Sequence, residues 1–461
     1  MRSSTRPYRP SLMLFLAAAT LLTLFVGPAA VACPFCSAVS QTLRQEMSAM
    51  DAVAIASAIQ GDSDRNQESG EVMMRIERVL KGENLIESAQ SVKAVYFGSV
   101  EAGRRFMLSG VDPPDMQWSC LPVSPRAEDY IIQVTELPDD ALTRLRFYHE
   151  FLADEESMLA RDAYDEFAIT PYDVIKQLKP DMNHDQLVQW ITDPETSTDR
   201  KRLYLTMLGV CGDENDLPML KEMLTSSQKS QRSGLDAMIA CYLTLGGESG
   251  LPLINELFLA NQQAAYADTY AAIMALRFHG TEGNVIARSA LVESLHLVLD
   301  RTDLADLVIP DLARWSDWSQ VDRLTDMFIN ADPDNNWIRV PVVNYLRACP
   351  LPAAEEALKK LEQVDPESVR RANTFFSIPV PQESTEAKSS ALPPDDQVRL
   401  AGLIPPHSPR FVRSSAAAVN AVNAVNAVNP WRLAGVLAMA MSTCMIAQFL
   451  LLTGGSKPLA E

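Results

Sequence analysis

Five histidines are all that this 461-residue chain contains: His149, His184, His279, His296 and His407. None belongs to a HExxH, a closely spaced pair or a Cys/His cluster, so the sequence offers no zinc site and no cofactor is expected. Cysteine is nearly as sparse. The seven residues Cys33, Cys36, Cys120, Cys211, Cys241, Cys349 and Cys444 are too few for a scaffold built on disulfides. Gly-rich phosphate loops and a G-x-S-x-G elbow are missing as well, which removes the usual signatures of nucleotide binding and of α/β-hydrolase chemistry. Base is short relative to acid, with 40 Lys and Arg against 59 Asp and Glu, a formal charge of −19. Such a surface repels phosphate backbones, so nucleic acid is not an expected partner.

The chain does have the apolar content of a folded protein, 47% hydrophobic against 21% charged, in a length suited to two or three domains. Both ends carry apolar runs. Arg2, Arg6 and Arg9 precede Leu12 to Val26, and Gly27-Pro28 stops that run ahead of Ala30-Val31-Ala32, the small-x-small pattern that signal peptidase reads. Residues 1–32 are expected to be a cleaved signal peptide, with Cys33 first in the mature chain. A lipoprotein signal acylated at Cys33 is the alternative, but it wants a large aliphatic residue where Ala30 stands.

Near the other end, Trp431 to Leu452 carries one charge, Arg432, and encloses Cys444. The run is long enough to cross ~30 Å of hydrocarbon and is expected to be a single transmembrane helix. The short tail 453–461 then faces the cytoplasm. That orientation follows from the signal peptide, because Arg410, Arg413 and Arg432 on the outer side run against the positive-inside tendency. Residues 377–430, rich in Pro and Ser and carrying four Ala-Val-Asn units, read as a flexible stalk. The protein is expected outside the cytoplasm, periplasmic or at the cell surface, held by one span.

Residues 33–137 read as a small antiparallel β-barrel. Leu43, Met47, Met50 and Val53 fall at helical spacing before the alternation Val53, Ile55 begins. Strand signals follow at Val72, Met74 and Ile76, at Val92 to Val100, at Phe106 to Leu108, and at Tyr130, Ile132 and Val134, punctuated by Gly82, Gly98, Gly110 and Pro113-Pro114. The early cysteine pair, the helix running into "DAVAIASAI", then "RVLKG", "GRRFML" and the isolated Cys120, together resemble the netrin-like, OB-type barrel of the tissue inhibitors of metalloproteinases. That resemblance implies the barrel and a bond from an N-terminal cysteine to Cys120. The chain departs from the pattern in starting Cys33-Pro34-Phe35-Cys36 where those inhibitors have C-x-C.

Residues 138–376 read as an all-helical array, with apolar residues at i, i+3, i+4 and i+7 in short segments broken by Gly, Pro, Asp and Asn. Leu203 to Leu224 aligns with Ala237 to Phe258 at an offset of 34: Gly212 falls on Gly246, Leu217-Pro218 on Leu251-Pro252, and Glu222 on Glu256. Gly280 ends a third copy, and weaker copies follow near Leu304 to Phe328 and Val340 to Leu361. One helix pair cannot bury both its apolar faces, so such units stack. The pattern resembles HEAT-type repeats, which implies a curved binding surface; the tetratricopeptide class, with its 34-residue unit, is the other reading, although its Trp/Gly/Tyr/Pro pattern does not appear. The fold class expected is therefore α+β and multidomain: an OB-like barrel, then an α-solenoid, then a C-terminal transmembrane helix.

Few residues promise chemistry. The disulfide candidates are Cys33, Cys36 and Cys120; for Cys33-x-x-Cys36 a structural bridge, lipidation of Cys33, and redox or metal work remain open. Cys211 and Cys241 are expected to stay unbonded, because helices stacked ~9 Å apart would hold their Cα atoms beyond the ~7 Å bridging limit. Asp162, Asp165 and Glu166 read as a solvated helix face beside buried Tyr164 and Phe167. Trp315, Trp318 and Trp337 are candidate interaction aromatics, with packing between repeats as the other reading. The leading expectation is a non-enzymatic, membrane-anchored scaffold that holds a protein partner on its helical surface. The alternatives are a regulator of an extracytoplasmic metalloprotease acting through the amino group of Cys33, and a membrane-tethered thiol oxidoreductase using Cys33 and Cys36.

Overall fold

The computed structural model describes residues 33–37, 40–62, 69–332 and 335–375. The expected signal peptide, stalk, membrane span and tail lie outside these residues. Thr42 opens helix α1 (Leu43–Ala49) with a capping box: its hydroxyl accepts the Gln45 amide, and the Gln45 side chain accepts the Thr42 amide, both at 3.2 Å. Lys81 closes the helix by donating to the carbonyls of Met47 and Ser48, where a cation suits the unpaired oxygens of a helix end.

Five antiparallel strands follow, β1 (Ala52–Ala58), β2 (Glu71–Lys81), β3 (Ser91–Val95), β4 (Arg105–Val111) and β5 (Gln117–Pro122), in the order β3-β2-β1-β4-β5. Strand β1 lies at the centre and serves two cores. Ala52, Ala54, Ala56 and Ala58 meet Val72, Met74, Ile76, Phe106 and Leu108 inside the curl of the sheet, whereas Val53 and Ile55 join Met107 in the core shared with the helices. Burial on both faces explains why Asp51 to Ile59 reads as a nearly continuous apolar run. Register shifts at Val53/Ala54 and Ile55/Ala56 bend the pairing, and the sheet curls into a half-barrel. Its two outer strands come together where the Cys120 thiol donates to the Val95 carbonyl at 3.2 Å.

One expected strand is a helix. Tyr130, Ile132 and Val134 belong to α2 (Pro125–Glu136), which buries Ala127, Tyr130, Ile131 and Val134, one helical face. Ser124 caps it by accepting the Ala127 amide, and Pro125 sits in the first turn, where it sacrifices no intrahelical bond. The fifth strand is β5 instead, and the helices begin inside the segment read as barrel. They continue as α3 (Ala141–His149), α4 (Ser157–Ile169), α5 (Tyr172–Gln177), α6 (His184–Thr192), α7 (Thr198–Cys211), α8 (Leu217–Thr225) and α9 (Leu235–Gly246). After α10 (Leu251–Ile254) and its π-helical extension Asn255–Leu259 come α11 (Tyr266–Thr281), α12 (Arg288–His296), α13 (Ile309–Arg314), α14 (Val321–Asn330), α15 (Asn336–Ala348), α16 (Pro352–Val364) and α17 (Pro366–Phe375). Among the described residues, Leu235–Leu259 is the helical run long and apolar enough to cross a membrane, and 56% of its apolar window is buried in the protein.

The two aligned segments fold alike. Each is a long helix ending at its glycine, Gly212 or Gly246, followed by a short helix with Pro218 or Pro252 in its first turn. The long helices α7, α9 and α11 pack side by side, as do α13 and α15. Ion pairs repeat at the sequence period: Arg202 to Asp236 at 2.9 Å and Arg277 to Asp311 at 2.6 Å each span 34 residues. At the third copy Gly280 is required by a close approach, since a Cβ there would lie 2.1 Å from the Trp315 ring.

The Arg277–Asp311 pair is buried on both sides, and Asp311 also accepts from Arg314 at 2.6 Å. Removing one partner of a buried pair strands the other charge. Asp311→Ala is therefore expected to lower unfolding stability by about 3–5 kcal/mol, whereas Glu136→Ala, which removes the exposed partner of Arg78, costs at most ~1 kcal/mol. Urea denaturation of the two variants checks this; equal losses would refute it.

Candidate functional site

The N-terminal segment is held by the helices rather than by the sheet. Three carboxylates of α4 reach it. The Asp162 carboxylate accepts the Leu43 amide and the Tyr130 hydroxyl, both at 2.7 Å. Asp165 accepts the Ser40 hydroxyl at 2.8 Å and the Ser40 amide at 3.2 Å, and Glu166 pairs with Arg44 at 3.1 Å. The sequence reading of a solvated acidic face is overturned here: all three carboxylates are buried, Asp165 completely. They tolerate burial because the segment supplies the missing donors: the Leu43 amide at the start of α1, which lacks an intrahelical acceptor, the Ser40 hydroxyl and amide, and the Arg44 guanidinium.

Ahead of this grip the chain turns on itself. Cys33 and Cys36 are joined by a disulfide with their Cα atoms 5.3 Å apart, and the Cys36 amide donates to the Cys33 carbonyl. The pairing with Cys120 implied by the netrin-like resemblance is not the one present. Cys33 lies in the helical core, whereas Cys120 is a free thiol packed against the separate core inside the half-barrel. Phe35, at the tip of the turn, enters a groove between α5, α7, α9 and α11. Its ring lies 5.1 Å from that of Phe278, which in turn meets Tyr172 edge-on at 5.3 Å. Gly209 on α7 and Ala240 on α9 line the same seat.

The groove continues past Phe35 into a cavity of about 260 Å³ that shares Tyr172, Gly209, Thr244 and Phe278 with the aromatic seat. Its other walls include Lys176, Lys179, His279 and Glu282. Burial pushes His279 down to about 4 and Tyr172 up to about 12, and it raises the Glu282 carboxyl and the Cys241 thiol. His279 is therefore neutral near pH 7 and Cys241 stays a thiol. The burial of His279 depends on the stacking of α9 on α11, which no local pattern announces.

The redox reading required Cys33 at the start of a helix, where unpaired amides lower a thiol pKa. Helix α1 begins only at Leu43, beyond the disulfide turn. Cys33 is 2% exposed, so neither its sulfur nor its backbone presents itself to a large partner. Cys211 and Cys241 are free thiols. The candidate aromatics separate: Trp315 packs on Gly280 beneath Arg288, Trp318 meets Tyr345 at 5.2 Å, and Trp337 is 45% exposed. Among the described residues, no group of three or more His, Cys, Asp or Glu is placed to hold a metal ion.

Asp162 is pushed up to about 6 by burial, against the pull of the Leu43 amide and the Tyr130 hydroxyl. A carboxyl raised in the folded state binds more protons folded than unfolded. Its contribution is thus fully present below about pH 4 and is lost as pH rises through about 6. Asp162→Asn keeps an oxygen for the Leu43 amide and is expected to flatten that decline. Asp162→Ala, which strands two buried donors, is expected to cost about 2–4 kcal/mol. Denaturation series from acid to neutral pH check both; an Asn variant with the wild-type pH profile would remove Asp162 as the cause.

Compared with protein-family models, with curated proteins and with solved structures, the chain matches none.

Proposed function

We propose that this chain is a non-enzymatic scaffold on the outer side of a membrane, whose helical array holds a protein partner. The observation that carries the reading is the capture of the chain's own N-terminal segment. The array takes the disulfide turn and the start of helix α1, residues 33–37 and 40–44, through an aromatic seat for Phe35 and a row of carboxylates for Ser40, Leu43 and Arg44. A surface that binds one peptide by a side-chain pocket and charged hydrogen bonds is suited to binding others. The 34-residue period and its resemblance to HEAT-type repeats support the same use. Export and anchoring rest on the sequence signals at 1–32 and 431–452.

The two alternatives each need an accessible Cys33, as a metal-approaching amine or as an attacking thiol. A cysteine buried under the helices disfavours both. The reading is tested by placing a photo-crosslinker at Trp337 and at Tyr266, both exposed on helices, and at Lys93, exposed on the sheet. In native membranes a discrete adduct is expected from the two helical positions and not from Lys93. Adducts from the sheet alone, or insulin reduction by the purified protein, would overturn it.

A further inference from the structure

Where a ring stands beside a carboxylate, this protein repeatedly places a cation of its own. Arg126 lies 5.8 Å over the Phe151 ring and pairs with Asp154, and Arg339 lies 4.9 Å over the Phe328 ring and pairs with Asp365. Lys176 does the same with Tyr172, at 5.2 Å, and Asp173. Each cation gains from the negative face of the ring and from the opposite charge together. One further combination of rings and a carboxylate lacks such a cation.

It lies at the start of α11. Tyr266 and Tyr270, one turn apart, hold their rings within 5° of parallel, with centroids 6.2 Å apart. A group sandwiched between them would need ~7 Å, two contacts of ~3.5 Å, so anything bound lies across the outer faces. Tyr266 is 47% exposed and Tyr270 half-buried. Asp306, in the 3-10 turn Ala305–Leu307, is near enough to act on the Tyr266 hydroxyl, whose pKa is raised by burial and then by this carboxylate. Burial pushes the Asp306 carboxyl itself up to about 6; it accepts the amides of Asp306 and Leu307, and the charge beside it, Asp303, has the same sign. Among the described residues no cation pairs with Asp306. Arg277, which reaches Tyr270, is already bonded to Asp311 and to the Leu307 carbonyl. A carboxylate offers about four lone-pair sites, so two amides leave Asp306 room for a fork of donors.

We propose that Tyr266, Tyr270 and Asp306 form the seat of an arginine side chain of the partner, its guanidinium lying on the tyrosine faces and its N–H groups forked onto the Asp306 carboxylate. The inference rests on the scaffold reading and specifies the chemistry of what is held. Arginine suits the seat better than lysine, because its planar head stacks on a ring, meets both carboxylate oxygens at once and sheds water more readily. Arg126 and Arg339 supply the precedent within the chain. The formal charge of −19 draws a basic partner to the same surface.

The test uses the full-length protein in detergent micelles, with carbon-13 in its tyrosine rings, titrated with acetyl-Gly-Arg-Gly-amide and with the same peptide carrying lysine or the neutral isostere citrulline. The arginine peptide is expected to bind about tenfold more tightly than the citrulline peptide, the effect of one charge-assisted contact. It should also outbind the lysine peptide and move the ring resonances of Tyr266 and Tyr270 while the other tyrosines stay still. Asp306→Asn, which keeps an oxygen for the two amides, is expected to remove the arginine preference. Tyr266→Leu, at an exposed position, is expected to weaken arginine binding about two- to fivefold. The unmoved tyrosine resonances show that each variant is folded. Equal affinities for arginine and citrulline, lysine bound as tightly as arginine, or an arginine preference that survives Asp306→Asn overturn the proposal. Trp337 is no part of this seat, so crosslinking from it reports on the scaffold reading separately.

Discussion

Three carboxylates within five residues of one helix cannot be buried together unless donors meet them, and in this chain all but the Tyr130 hydroxyl come from a segment 119 to 125 residues away in sequence. Ser40, Leu43 and Arg44 satisfy Asp165, Asp162 and Glu166. The arrangement is reciprocal, because the Leu43 amide at the start of α1 needs an acceptor as much as the carboxylates need donors. Remove either side and the other is left desolvated and unpaired. The position of α1, and with it the disulfide turn and Phe35, follows from this constraint.

Helix α1 then passes the constraint to the sheet. Glu46 accepts the buried Ser109 hydroxyl of β4 at 3.0 Å, and Lys81 of β2 caps the far end of the helix. Strand β1 completes the connection by placing alternate side chains in two cores, so the half-barrel and the helices share one strand. Sheet and helices are therefore not independent modules joined by a linker. The boundary that the sequence suggested near residue 137 falls inside continuous structure, and the helical part already begins at Pro125.

Local patterns carried much of this. The helical spacing of Leu43 and Met47, the alternation of Val72, Met74 and Ile76, and the glycine and proline punctuation of the 34-residue units leave local traces that survive without a structure. Alternation failed at Tyr130, Ile132 and Val134 because Ile131 is apolar too, and a run with apolar neighbours satisfies both periods; Ser124-Pro125 was the discriminating signal. Burial of Asp162, Asp165 and Glu166 was not legible, since charge at helical spacing usually means solvent and the partner segment is remote. The same holds for His279. A resemblance of short motifs suggested a bridge to Cys120, yet pleat alternation on β5 turns that thiol into the half-barrel and away from the N-terminal turn.

The disulfide turn has a consequence for the order of events in folding. Cys33 and Cys36 are three residues apart and can close as soon as they emerge, but the Phe278 ring that receives Phe35 lies on α11, far later in the chain. During vectorial synthesis Phe35 and its cross-linked loop must wait, exposed, until most of the array has been delivered. Contacts of such long sequence separation close slowly and leave apolar surface open in the meantime. The disulfide turn is thus made early and is among the last parts to be put away.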